Sequence, residues 1–120
     1  MKEKESRTSL TPAVFHILLA LSGGELHGYG IMKQVKEDSD NKVAMGAGTL
    51  YGSLKRMIDA NLIAECDKRV DAELSDERRI YYQITGAGRE ALSEELERYN
   101  SIVSLARKLK LLPKTLQYGI

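Results

Sequence analysis

A chain of 120 residues with a net charge of +1 is long enough for one domain with its own core, and its total charge marks no particular class of partner. Tryptophan is absent and phenylalanine occurs once, so aliphatic side chains must fill most of that core. The single cysteine, Cys66, excludes an internal disulfide and a cysteine-only zinc site, and it fits a reducing, cytoplasmic setting.

Met1–Leu10 is charged and reads as an N-terminal arm. Thr11-Pro12 then offers a hydroxyl cap followed by proline, a helix start. Val14, Phe15, Ile17, Leu18, Leu19 and Leu21 make this helix apolar on nearly all sides, so it belongs at the centre of the fold. The run is short for a secretory signal, Pro12 opens it and His16 interrupts it, and no stretch approaches the ~20 apolar residues of a membrane span. His16 reads as a satisfied core histidine. Ser22-Gly23-Gly24 ends the helix. A second helix is expected from about His27 to Asp38, with Tyr29, Ile31, Met32 and Val35 on its apolar side. Ser39–Gly46 reads as a connector with a short extended piece at Val43. A third helix is expected from Ala47 to about Ala60, with Leu50, Leu54, Met57 and Ile58 on one face and Asn61 as a left-handed C-terminal residue.

Leu62–Cys66 and Arg79–Ile84 have strand character, the second through alternation of Ile80, Tyr82 and Ile84. Asp67–Arg78 between them is polar and too long for a tight turn, which gives the outline of a wing. The fourth helix starts at the cap candidate Thr85 and runs to about Leu112, where Pro113 is expected to stop it. Leu92, Leu96, Tyr99, Val103 and Ala106 step by four, three, four and three, a coiled-coil spacing. Ile102, Leu105, Leu109 and Leu112 form a second stripe beside them. Two apolar stripes on one terminal helix call for a partner, and a second copy of the chain is the expected one. The fold class is therefore mainly α with a small β-wing. A winged helix-turn-helix spans residues 11–85, and a C-terminal dimerisation helix spans 86–112, set between an arm at 1–10 and a tail at 113–120.

Function must come from sites, since this fold carries many. The polar face of the third helix holds Gly48, Gly52, Lys55, Arg56 and Asp59, flanked by Thr49 and Ser53. Glycine inside a helix costs about 1 kcal/mol against alanine. At Gly52 it fills no core, so close approach of the backbone to another surface, such as a DNA groove, is a reason to have it. Thr49 and Ser53 can bond base edges or phosphates, and Lys55 and Arg56 phosphates or guanine. The wing adds Lys68, Arg69, Arg78 and Arg79 among five acids: Asp67, Asp71, Glu73, Asp76 and Glu77. Cys66 reads as a small half-buried hydrophobe. No phosphate loop, metal cluster or catalytic triad is present, so the expectation is no enzyme, no cofactor and no metal. Two readings stay open on these residues: a DNA-binding regulator, or a winged-helix module that binds protein instead.

An ordered set of motifs favours the first. Leu10-Thr11-Pro12, His27-Gly28-Tyr29-Gly30, Gly48-Thr49-Leu50-Tyr51, Leu54-Lys55-Arg56-Met57, Asn61-Leu62-Ile63, and Arg79-Ile80-Tyr81-Tyr82-Gln83-Ile84-Thr85 with Gly88 together resemble the PadR family of transcriptional regulators, in its shorter subfamily with one C-terminal helix. The resemblance covers roughly Leu10–Ala106. It implies a homodimeric repressor on a near-palindromic operator, released by a small-molecule effector. It also implies that Thr49 and Tyr51 sit at the DNA-facing start of the recognition helix. Two departures stand out. Where relatives often have Ser-Pro before the Gly-Thr-Leu-Tyr run, this chain has Gly46-Ala47, and where they often have proline after it, this chain has Gly52. Tyr99, the aromatic residue of the fourth helix, is the candidate effector contact if it stacks on a flat ligand, and a seam residue if it only packs.

Overall fold

Three hydroxyl or imidazole caps set where the helices begin. Thr11 accepts the Val14 amide at 3.2 Å to start α1 (Pro12–Leu21). A two-residue strand β1 (Leu26–His27) follows, and His27 Nδ1 accepts the Gly30 amide at 3.0 Å to start α2 (Gly28–Asp38). Helix α3 (Ala47–Asp59), strands β2 (Ile63–Arg69) and β3 (Arg78–Ile84), and the long helix α4 (Gly86–Lys108) complete the order. Thr85 caps α4 by accepting the Gly88 amide at 3.0 Å. The computed structural model describes residues 9–69 and 78–112, with the backbone alone at 67–69 and 78–79. The expected arm (up to residue 8), wing tip (70–77) and tail (113–120) lie outside the described residues.

Three of these helices end alike. Asp40, Asn61 and Lys110 take φ of 56°, 63° and 60°, and in each case the next residue's amide reaches back into the last turn: Asn41 to Lys36, Leu62 to Met57 and Leu111 to Ala106. This is the left-handed C-terminal motif expected at Asn61. At Lys110 it closes α4 ahead of Pro113, so the expected boundary at Leu112 is corrected to Lys108. Val43 forms no strand. Its amide is instead held by the Ser39 hydroxyl at 2.9 Å.

The sheet has three antiparallel strands in the order β1-β3-β2, one more than the alternation pattern indicated. A two-residue strand leaves no period to read; it exists because Leu26 and His27 pair with Tyr82 and Tyr81. The β2–β3 register places Ile63 opposite Ile84 and Glu65 opposite Tyr82. As its composition required, α1 is central, contacting α2, α3, α4 and β3. Ile17, Leu18 and Leu21 are buried there with Ile31 and Val35 of α2, Leu50, Leu54 and Met57 of α3, and Ile63 of β2. Each such side chain contributes about 1.5–3 kcal/mol when removed from water. His16 departs from expectation: its buried Nδ1 has no hydrogen-bond partner among the described residues, while its ring meets Phe15 edge-on at 5.2 Å.

A further joint ties α4 to the end of α3. The Thr85 hydroxyl donates to the Asn61 carbonyl at 2.7 Å, and the Thr85 amide donates to Leu62 O at 3.1 Å. Gly88 is buried there, and a Cβ on it would overlap the Leu62 carbonyl oxygen. Helices α3 and α4 are thus fixed to each other within one chain.

Candidate nucleic-acid interface

Helix α3 turns Leu50, Ser53, Leu54 and Met57 into the core and leaves Gly48, Thr49, Lys55, Arg56 and Asp59 exposed. Ser53 is therefore corrected: at 1% exposure it belongs to the core stripe, three residues after Leu50, and cannot meet a duplex. Its hydroxyl oxygen accepts a long bond from Arg56 Nη2 at 3.5 Å. The two glycines behave as an approach surface would require. Among the described residues, a Cβ at Gly48 would meet nothing within 4 Å, and one at Gly52 would meet Arg56 Nη1 at 3.7 Å. Gly46 caps the helix without a side-chain bond, in keeping with the departure noted at Gly46-Ala47.

Tyr51 sits at the edge of this face and is 50% exposed. Its hydroxyl does not project with Lys55; it lies against Gly28 at the start of α2. Shallow clefts of about 340 and 330 Å3 flank it. Tyr82 lines both, and burial first, then the Glu65 charge and Tyr51, hold its hydroxyl above the usual tyrosine pKa. Tyr29, expected on the apolar side of α2, is instead exposed and stacks on His27 at 6.4 Å. The His27 ring in turn meets Tyr81 edge-on at 5.3 Å. Ile80 of the wing is exposed as well. Lys68, Arg69, Arg78 and Arg79 pair across the ladder, Lys68 with Arg79 and Arg69 with Arg78, but their side chains lie outside the described residues.

Residues 17–94 match the family model of the transcriptional regulator PadR-like family. The chain belongs to that family. A PadR family transcription regulator from Clostridium difficile is 28% identical, with a TM-score of 0.69 over 82% of this chain and 98% of that one. Bacillus subtilis PadR, solved in complex with operator DNA, is 25% identical, with a TM-score of 0.60 over 69% of this chain and 45% of that one. An uncharacterized 37.1 kDa protein in a transposon of Streptomyces fradiae is 33% identical over 79 residues, and this chain spans about a fifth of that relative's length. The family is one of transcriptional regulators, and this PadR-like chain is accordingly a regulator and not an enzyme. No helix among the described residues is long and apolar enough to cross a membrane.

The long helix of this PadR-like regulator divides into two parts. Gly88, Ala91, Leu92 and Glu95 are buried in the chain's own domain. Leu92 is therefore corrected as a seam residue: it is 6% exposed and packs in the core with Phe15 and Tyr82. Leu96, Tyr99, Ile102, Leu105 and Leu109 are exposed, and Val103 and Ala106 half-buried. The Tyr99 ring leans on Phe15 at 5.2 Å. Desolvation, then the bond to Glu95 and its charge, raise its hydroxyl pKa, and Arg98 opposes them. Glu95 is 1% exposed and paired with Arg98. A buried glutamate had no sequence signal beyond its spacing, three after Leu92 and three before Arg98. The seat at Gly28 had none.

Proposed function

We propose that two copies of this chain pair through α4 and hold their α3 helices on a near-palindromic duplex operator, repressing transcription until a small molecule shifts the dimer. One observation carries the DNA-binding half. The exposed side of α3 presents Lys55, Arg56 and Thr49 around two glycines, Gly48 with open space above it and Gly52 with the flexible end of Arg56, so the backbone itself can approach a groove floor. Family membership, and a relative solved on its operator, support the same reading. Thr49, Gly52, Lys55 and Arg56 form the proposed contact face, and Lys68, Arg69, Arg78 and Arg79 its wing contribution to phosphates. The domain division follows, with residues 11–85 binding DNA and 86–112 pairing the chains. Leu96, Tyr99, Val103 and Ala106 form the seam, extended by Ile102, Leu105 and Leu109.

The pairing half rests on an apolar face that α4 leaves in water beyond Glu95, continuous over several turns. Tyr99 lies at its inner end, and a flat effector stacked there would bear on both protomers. Such a ligand releases DNA only if it binds the two dimer states unequally. The test is fluorescence anisotropy with duplex DNA from the protein's own promoter region, over a range of salt, with random duplex as the control. Preference for the promoter duplex, with affinity falling steeply as salt rises, is the expected result. Equal weak binding to both duplexes returns the protein-interaction reading.

A further inference from the structure

Gly28 opens α2, is buried, and has no positive φ. What the position requires is thus the absence of a side chain and not backbone freedom. The three atoms nearest to a Cβ placed there all belong to one side chain: it would overlap the Tyr51 hydroxyl and lie 2.8 Å from Cζ and 3.2 Å from Cε1. Tyr51 therefore leaves α3, crosses to the first residue of α2, and ends against its backbone.

Tyr51 lines two clefts, one with His27, Gly28, Tyr29 and Ile80 and the other with Lys55, Ile58 and Glu65, and Tyr82 of β3 lines both. One stiff side chain with two rotatable bonds thus spans the start of α2, the first turns of α3 and the sheet. Thr49, Gly52 and Lys55 lie within a turn of it on the same helix.

We propose that Tyr51 is a positioning residue and not a base reader: seated on Gly28, its ring fixes the distance of the recognition helix from the start of α2. The inference rests on the DNA-binding reading and assigns Tyr51 a different part in it from the one its motif implied. Contact groups must be held within about 0.5 Å of their working geometry, so a displaced ring should be felt at Lys55 and Thr49 without either being altered.

The experiment is a double-mutant cycle of Gly28→Ala and Tyr51→Leu, read by anisotropy on a duplex selected from a random library, with circular dichroism as the folding check. Gly28→Ala in the parent should weaken binding about tenfold, because the new methyl drives the ring from its seat. In the Tyr51→Leu background the same change should cost nothing further, because no ring remains to displace. Tyr51→Phe, which keeps the ring, should bind more tightly than Tyr51→Leu. Equal losses in Tyr51→Phe and Tyr51→Leu would instead make the hydroxyl a DNA contact and overturn the proposal. Additive effects at positions 28 and 51 overturn it too. If Gly28→Ala fails to fold, recovery of the fold in the double variant supports the seat, and failure of both overturns it. If the selection enriches no duplex, the DNA-binding reading fails, and the cycle read in melting temperature still separates coupled from additive residues.

Discussion

Helices α3 and α4 carry the same kind of sequence signal, an apolar stripe at helical spacing, and end with opposite surfaces. In α3 the stripe is spent within the chain: Leu50, Leu54 and Met57 are all buried, and apart from the half-exposed Tyr51 what remains outside is small, polar or charged. In α4 full burial ends at Glu95; beyond it Leu96, Tyr99, Ile102, Leu105 and Leu109 are exposed and Val103 and Ala106 half-buried. Periodicity therefore identifies a helix and its apolar face, but the surface left over is decided by how far the rest of the chain extends alongside. Core burial runs along α3 from Leu50 to Met57 and along α4 only to Glu95, beyond which Tyr99 still leans on Phe15. A covered helix is free to meet a charged polymer, and an uncovered one needs a second apolar surface.

The sharpest way to break this contrast is to spoil the uncovered face. Ile102→Asp combined with Leu105→Asp changes two exposed residues, so the single chain should fold unchanged. Sedimentation at micromolar concentration should show a dimer for the parent and a monomer for the variant. Operator affinity should fall by about 10²-fold or more, because two linked half-sites bind far more tightly than either alone. A well-folded monomeric parent would mean that something other than a second copy covers α4.

The converse test adds bulk to the covered helix. Gly52→Leu should leave melting temperature and dimerisation near the parent values, since among the described residues the space above Gly52 holds the flexible end of Arg56. Operator affinity should nevertheless fall by about 1–3 kcal/mol or more, the scale of a lost base contact. A variant that binds as tightly as the parent would show that α3 does not dock by this face.

Most of the fold was legible because local rules and tertiary needs agree. Thr11 and Thr85 cap the helices they precede, Asn61 is left-handed, and the all-round apolar first helix is central. What escaped depends on distant partners. Leu26–His27 is a strand only because β3 runs beside it. Strand β2 extends past Cys66 to Arg69 because the ladder continues where the apolar pattern stops. Leu92 lies on the coiled-coil period and is nonetheless taken by the core. Ser53 was within reach, since the step of three from Leu50 places it on the apolar stripe. A serine's polarity argued for the surface, but a small hydroxyl fits where α3 packs closely. Within the proposed site, Lys55, Arg56 and Gly52 could be found from the exposed face alone. The seat between Gly28 and Tyr51 could not, because nothing in a sequence places two helix starts in contact.

A finer division between the helices is electrostatic. Lys55→Ala and Arg56→Ala should each reduce the slope of log affinity against log salt by about 0.9 if each neutralises one phosphate. Loss of affinity with an unchanged slope would mark a base contact or a packing role instead. Arg107 and Lys108, in the last turn of α4, are not part of the proposed duplex face, and their replacement by alanine should leave the slope as it was.

The smallest expected effect uses two tyrosines as reporters, one for each region. Tyr82 lies under α3 and Tyr99 on α4, and both hydroxyls titrate above the ordinary value of 10.0 in the folded chain. A raised folded pKa contributes stability that is complete below the unfolded value and is lost as pH climbs through the folded one. Urea unfolding should therefore show stability declining above about pH 10, where the unfolded tyrosines ionise first. Tyr82→Phe should flatten part of that decline whatever the protein concentration, because its burial comes from its own chain. Tyr99 should behave differently. Partly exposed in one chain, it loses more water if a second copy covers α4, which pushes its titration higher still. Ultraviolet difference spectra of the parent and of an uncharged Ile102→Asn, Leu105→Asn variant, which puts no new carboxylate beside Tyr99, separate the cases. The Tyr99 contribution, assigned with Tyr99→Phe, should titrate at lower pH in the monomeric variant, while that of Tyr82 stays in place. Equal titration of Tyr99 in both proteins would leave its ring outside the seam and move any effector contact elsewhere.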